Sequence, residues 1–314
     1  MSIEQRALSC KLLASGRELL VVLLMLAGCG MRDAEGRRRH GAEVRVVVTI
    51  PDLADWVKNV GGERVKVTSL LTGSEDPHNF EPRPADALAI AQAQILVRVG
   101  LGLDDWLGGI IENARNPKLV VLTIGDEIDV IQEHHEFPGH SHPEGNPHIW
   151  LDPEIARAAV GLIAGALSKV DTAGQRFYEQ QAQNYSFRLD SATRVLQEVV
   201  ARLPNRKIVT VHESWPYFCR RFGFEAVAAL EPLPGQEPSA REMVELSAGM
   251  KAESVRVIVV EPQHNRDVAD ALARETGGQV VVLSSVTGGL KGTESYLQLL
   301  DYNVRTLAQA LSPK

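Results

Sequence analysis

The sequence predicts an α/β protein of two lobes, each a mainly parallel sheet flanked by helices, with one long rigid helix joining them. Three observations carry this expectation. Short β-branched runs alternate with helical segments, as in βαβ units. The alternation occurs in two separate blocks. Between the blocks, Thr172–Leu203 holds helical spacing with no Gly or Pro after Gly174, long enough at about 1.5 Å per residue to cross a whole domain.

In the first block, strand Val44–Ile50 leads to a helical pattern over Leu53–Val60 and to strand Val65–Leu71. Helix Ala85–Ala93, strand Ile95–Val99, helix Asp105–Ala114 and strand Leu119–Thr123 follow. Asp129–Pro147, with its Pro, Gly and histidines, reads as a loop, and Pro153–Val170 as a helix. In the long helix, Phe177, Tyr178, Tyr185, Leu189, Val195, Leu196 and Val199 supply the apolar stripe. The second block reads as strand Ile208–Val211, helix Trp215–Phe222, strand Ala226–Leu230 and helix Ala240–Met250. Strand Val255–Val260, helix Val268–Glu275, strand Val280–Leu283 and helix Ser295–Leu311 complete it.

The start of the chain reads as a targeting segment. Leu19–Leu26 is an apolar run too short to span a bilayer comfortably, preceded by Arg6, Lys11 and Arg17 and followed by small residues. Leu26-Ala27-Gly28-Cys29 resembles the bacterial lipobox, which makes Cys29 the expected lipidated residue; a plain signal or an uncleaved anchor is the alternative. The expected division is a lipoprotein signal peptide at 1–28, a tether at 29–43, an N-terminal lobe at 44–170, the connecting helix at 171–204 and a C-terminal lobe at 205–314. The protein is then exported and lipid-anchored, facing the periplasm or the cell exterior. Cys10 leaves with the signal and Cys29 carries lipid, so Cys219 has no partner for a disulfide and reads as a small buried hydrophobe.

A chain of 314 residues with 44% hydrophobic content can bury a sizeable core, which excludes disorder. A net charge of −7 argues against nucleic acid as a partner. Nine histidines remain to be explained. His78 follows the second strand, in Asp76-Pro77-His78-Asn79-Phe80-Glu81-Pro82. His148 lies in Asn146-Pro147-His148-Ile149-Trp150-Leu151-Asp152-Pro153, ahead of a helix, and His212 ends a strand before Glu213-Ser214-Trp215. Singly, each is more often a capping or hydrogen-bonded histidine. Together, in a fold that gathers ligands beyond the carboxyl ends of its strands, they have the composition of a metal site. Neutral imidazole suits zinc, copper and nickel, and three imidazoles with water or oxygen as the fourth donor is a common zinc arrangement.

These three motifs, with Thr210-Val211 before His212 and Val255–Pro262 (VRVIVVEP) later, resemble those of the zinc- and manganese-type substrate-binding proteins of bacterial metal ABC importers, on the zinc-like side. The resemblance runs in order from about Val44 to Leu311. It implies capture of a divalent transition metal between two lobes and delivery to the importer's permease and ATPase, by a monomer with no catalytic role. His78 and His148 are then ligands from the first lobe and His212 from the second. Manganese-type members usually place a carboxylate at the third position, so His212 points to Zn2+ as the bound substrate ahead of Mn2+ or another divalent transition metal.

The family's usual aspartate after the last strand is missing: Ser284-Ser285 stands there. Water, Glu213, Glu261 or Ser285 is the candidate fourth donor or support to the ligands. His264 is a further conceivable donor, although a solvent-facing loop histidine is the plainer reading. Asp76, Glu81, Asp152 and Glu213 are candidates for fixing the ring tautomers. His134, His135, His140 and His142 resemble a short form of the family's His-rich loop, an auxiliary metal collector or simply a solvated loop. His40 receives no role. A zinc-dependent hydrolase or hydratase with a three-histidine site and bound water is the alternative function, with Glu213 as its only tempting base and no His-Glu-x-x-His motif.

Overall fold

Residues 43–131, 145–231 and 238–313 are described by the structure, a computed structural model. The targeting segment, Cys29, the tether with His40, and His134, His135, His140 and His142 lie outside the described residues.

The apolar runs of the first block form β1 (Val44–Val48), β2 (Val65–Ser69), β3 (Ile95–Arg98) and β4 (Val120–Thr123). They pair in parallel in the order β2-β1-β3-β4, with Val46 opposite both Val67 and Ile95. The connections carry α1 (Pro51–Gly61), α2 (Pro84–Gln92) and α3 (Gly108–Asn113). The expected helix over Asp105–Ala114 is split, its first turn being 3-10 (Asp105–Leu107). The double glycine Gly108-Gly109 at the junction disfavours a continuous helix.

The helix α4 (Pro153–Val170) has the boundaries its sequence signals require. Asp152 caps it by accepting the Glu154 N–H at 2.9 Å, and Pro153 fills the first helical position, where no amide donor is needed. The long helix α5 (Gln175–Ala201) begins later than the expected helical stretch from Thr172, because Thr172–Gly174 makes a 3-10 turn. Its buried residues Tyr178, Ala182, Tyr185, Leu189, Leu196 and Val200 form one stripe at helical spacing. Polar contacts tie it to both halves of the chain. The Tyr185 hydroxyl donates to Asp55 of α1 at 2.7 Å, and Gln197 Nε2 donates to the Arg221 carbonyl at 2.8 Å.

The second sheet repeats the topology of the first. β5 (Lys207–His212), β6 (Glu225–Glu231), β7 (Val257–Val260) and β8 (Gln279–Val282) are parallel in the order β6-β5-β7-β8. The helices α6 (Pro216–Phe222), α7 (Ala240–Ala252), α8 (Asp267–Thr276) and α9 (Tyr296–Leu311) flank it. Along β7 the side chains alternate between two cores: Val257 and Val259 join the main core shared with the first lobe, Ile258 and Val260 a smaller one with Met250 and Leu272. Cys219 on α6 is free and buried, as expected of a small hydrophobe, and burial pushes its thiol up to about 12.

Contacts distant in sequence lock the lobes together. The Thr287 N–H and hydroxyl both donate to the Asp52 carboxylate, the hydroxyl at 2.7 Å. Trp150 Nε1 donates to the Ser285 carbonyl at 2.6 Å, and the Tyr296 hydroxyl donates to the Trp150 carbonyl at 2.6 Å. Gly73 sits at φ +104° against the 287–289 loop, where a Cβ would lie 2.8 Å from the Thr287 carbonyl oxygen; only glycine allows both the conformation and the approach.

Leu189 is fully buried in the stripe by which α5 meets the shared core. Leu189→Ala is expected to lower unfolding stability by about 2–5 kcal/mol, read as a lower midpoint in urea with unchanged slope. A loss below about 0.5 kcal/mol would show that α5 is not packed as described.

Candidate metal centre

The three histidines expected from separate motifs meet in one place. A ligand nitrogen from each of His78, His148 and His212 lies within 4.8 Å of the other two. Ring centroids are 5.1 Å apart for His78 and His148, 5.4 Å for His78 and His212, and 5.2 Å for His148 and His212. His148 and His212 are each 2% exposed and His78 is half-buried, so the cluster lies in a crevice with one ring nearer its mouth. Among the described residues it contains no carboxylate.

The His78 loop after β2 is shaped by its neighbours. Asp76 accepts the His78 N–H at 2.9 Å and the Asn79 side-chain amide at 2.7 Å. Phe80 packs on Trp106 with centroids 5.0 Å apart, and Trp106 Nε1 donates to the Pro77 carbonyl at 3.4 Å. Asp76 therefore sets the backbone of this loop.

His148 is the most thoroughly positioned. Asn146 Oδ1 accepts both the His148 N–H at 2.9 Å and the ring Nδ1 at 3.0 Å. An amide oxygen only accepts, so the ring proton resides on Nδ1 and Nε2 presents a lone pair. Asn146 is itself held from the second lobe, its Nδ2 donating to the Glu213 carbonyl at 2.9 Å while its own carbonyl accepts the Tyr217 hydroxyl at 3.0 Å. That hydroxyl also accepts the Ile131 N–H at 2.9 Å. At the far end of the segment, Asp152 accepts Arg221 Nε at 2.6 Å.

His212 closes β5, opposite Glu231 of β6, whose carbonyl lies 3.4 Å from its Nδ1. The carbonyl again requires the proton on Nδ1. Nε2 is then bare, buried and without a hydrogen-bond partner. Burial pushes the His212 pKa down to about 3, helped by His78 and His264, so the ring is neutral without help from a metal. The Nε2 atoms of His78 and His148 stand 3.2 Å apart. Two nitrogens bound tetrahedrally at about 2.0–2.1 Å from one metal would be separated by about 3.3 Å. The set therefore fits a first-row divalent ion: two nitrogens at the edge length of its coordination polyhedron and a third facing them with no other partner.

The other candidates fall into different places. Glu261 follows the end of β7, the strand that pairs with β5 through Val209–Ile258 and Thr210–Val259. Glu261 Oε1 accepts Trp215 Nε1 at 3.0 Å, Oε2 is buried without a partner, and burial raises its pKa to about 7. The Ser285 hydroxyl accepts Gln263 Nε2 at 3.2 Å. Glu213 is half-buried and Glu81 exposed, while Asp152 caps α4. His264 does not face solvent: its side chain is 9% exposed and its ring stacks on His212 at 5.2 Å. Sequence reasoning missed Asn146 and Glu231 as the groups that fix the ring tautomers. An Asn two residues before a His can reach that residue's N–H, a signal present in Asn-Pro-His; the Glu231 contact is made only by strand pairing.

Fold and cluster together define a two-lobed α/β binding protein. Residues 46–310 match the family described as ZnuA, zinc-uptake complex component A, periplasmic, and the chain belongs to that family. A protein of Treponema pallidum (strain Nichols) named for metal binding is 29% identical over 299 residues, covering 93% of this chain and 94% of the relative. The manganese-binding lipoprotein MntA of Halalkalibacterium halodurans is 27% identical, covering 94% of this chain and 97% of its own. The high-affinity zinc uptake system protein ZnuA of Bacillus subtilis (strain 168) is 26% identical, covering 93% and 95%. A crystal structure of ZnuA superposes with a TM-score of 0.77 at 26% identity, over 86% of this chain and 100% of that one.

The groups that support the rings can be tested separately from the rings themselves. Asn146→Ala frees the His148 tautomer and is expected to weaken zinc binding about 10–100-fold; an unchanged titration would remove Asn146 from the site. His212 also gives the metal-free fold a pH dependence. Its folded pKa of about 3 lies below the ordinary 6.5, so between those values the unfolded chain binds more protons and stability is lost as the pH falls. Relative to His212→Gln, the wild type should lose about 2 kcal/mol between pH 7 and pH 5. A pH-independent difference in urea denaturation would contradict the buried neutral imidazole.

Proposed function

We propose that this chain is an extracytoplasmic solute-binding protein that captures a divalent transition metal, zinc first, and hands it to the permease of an ABC importer. The observation that carries the reading is the convergence of three imidazole nitrogens from both lobes, in a cluster without a carboxylate. Neutral nitrogen donors suit zinc, copper and nickel, whereas manganese prefers oxygen. Among the relatives, MntA is named for manganese and ZnuA for zinc, so the donor set is what favours zinc here. His78, His148 and His212 act as the ligands, and the ion is cargo.

Membership of a family described as periplasmic and the lipoprotein name of MntA support export with a lipid anchor, for which Cys29 is the residue. The comparisons lend the hydrolase alternative no support, since the relatives described are named for metal binding and uptake.

His148→Ala is expected to lower zinc affinity more than a hundredfold in calorimetric titration while the far-ultraviolet circular dichroism stays that of the wild type. Unchanged affinity would overturn the three-histidine site. Zinc should also raise the wild-type unfolding temperature, and a chelator reverse the shift, because a ligand that binds only the folded state stabilises it by mass action.

A further inference from the structure

We propose that His264 is a fourth imidazole of the site, which turns onto the metal at the position left open by His78, His148 and His212. The inference rests on the three-histidine reading above and decides which metals the site prefers.

His264 lies in the turn after β7, where its N–H donates to the Glu261 carbonyl at 3.1 Å. Its ring centroid is 5.2 Å from that of His212, within the 5.1–5.4 Å that separates the other three rings from one another. The two rings are inclined by only 30°, whereas the three clustered rings meet at 55–84°. His264 thus stands beside the cluster, stacked on His212 and outside the set of ligand nitrogens that lie within 4.8 Å of one another.

Two further contacts hold this ring ready. Its Nδ1 is 3.9 Å from Glu231 Oε2, in a pair whose side chains are 9% and 5% exposed. Glu231 also supplies the carbonyl that faces His212 Nδ1, so one residue supports both rings. With Nδ1 turned to a carboxylate, Nε2 is the nitrogen left for a metal. The loop is pinned as well, because Gln263 Nε2 donates to the Ser285 hydroxyl. Ser285 therefore anchors the segment that carries His264.

A tetrahedral ion held by three nitrogens requires one more ligand. The movement proposed to supply it is rotation about the His264 side-chain torsions. Four neutral imidazoles make a donor set that favours zinc, copper or nickel over manganese more strongly than three imidazoles with water or carboxylate.

The test is a crystal structure of the zinc-loaded protein, with zinc and manganese titrations of the wild type and of His264→Ala. The expected result is a His264 nitrogen about 2.0–2.1 Å from the ion, with at least a tenfold loss of zinc affinity in the variant and little change for manganese. A water, Glu213, Glu231 or Glu261 in the fourth position, with His264 still stacked on His212, would overturn the proposal and leave the three-histidine site intact. Zinc bound away from His78, His148 and His212 would instead overturn the reading on which it rests. The wild-type structure decides the point even where His264→Ala folds poorly.

Discussion

The metal centre depends on one clamp, the hydrogen bonds through which second-lobe residues hold the segment that carries His148. Tyr217 and the Glu213 carbonyl grip Asn146, Ser285 receives Trp150, and Arg221 donates to Asp152. His148 belongs by chain order to the first lobe, yet its position is set by the second. The crevice consequently has no purely first-lobe wall at this point. Its ligands keep their spacing because the groups that orient them span the boundary, and buried polar networks of this kind are strong only when fully satisfied.

Much of the fold was legible because it rests on local rules. Asp152 followed by Pro153 marks the start of α4, and the β-branched runs mark strands of both sheets within a residue or two. The double glycine at 108–109 and the 3-10 turn at Thr172–Gly174 blur two helix starts, since helical periodicity does not distinguish a tight turn from the helix that follows it. The convergence of the three histidines was legible because each sits in a loop or at a strand end that the topology sends to one crevice. Their supports were less so. Glu231 reaches His212 only through the β5–β6 pairing, and His264 reaches it through a turn whose course depends on Ser285. A sequence read along its length does not display neighbours made across a sheet, which is why a stacked, mostly buried His264 looked like a loop residue in solvent.

The electrostatics divide by residue type in a way that suits cation capture. Burial keeps His212 neutral, with a pKa of about 3, while burial of Asp52 and Glu261 raises both to about 7. As a ligand this ring would need no deprotonation, so a metal would displace no proton from it. The two carboxyl groups serve as hydrogen-bond acceptors, Asp52 for Thr287 and Glu261 for Trp215. An ion held by the three imidazoles would be attracted chiefly by directed lone pairs, a basis for selection by chemistry more than by charge.

The latch between Asp52 and Thr287 joins residues 235 positions apart. It lies close to the start of the first sheet and beyond the last strand of the second. Contacts so distant in sequence form late, because a long loop must close before they stabilise anything. A chain that stopped short of Ser285 would lack both this latch and the carbonyl that receives Trp150, and so one of the supports of the segment that carries His148.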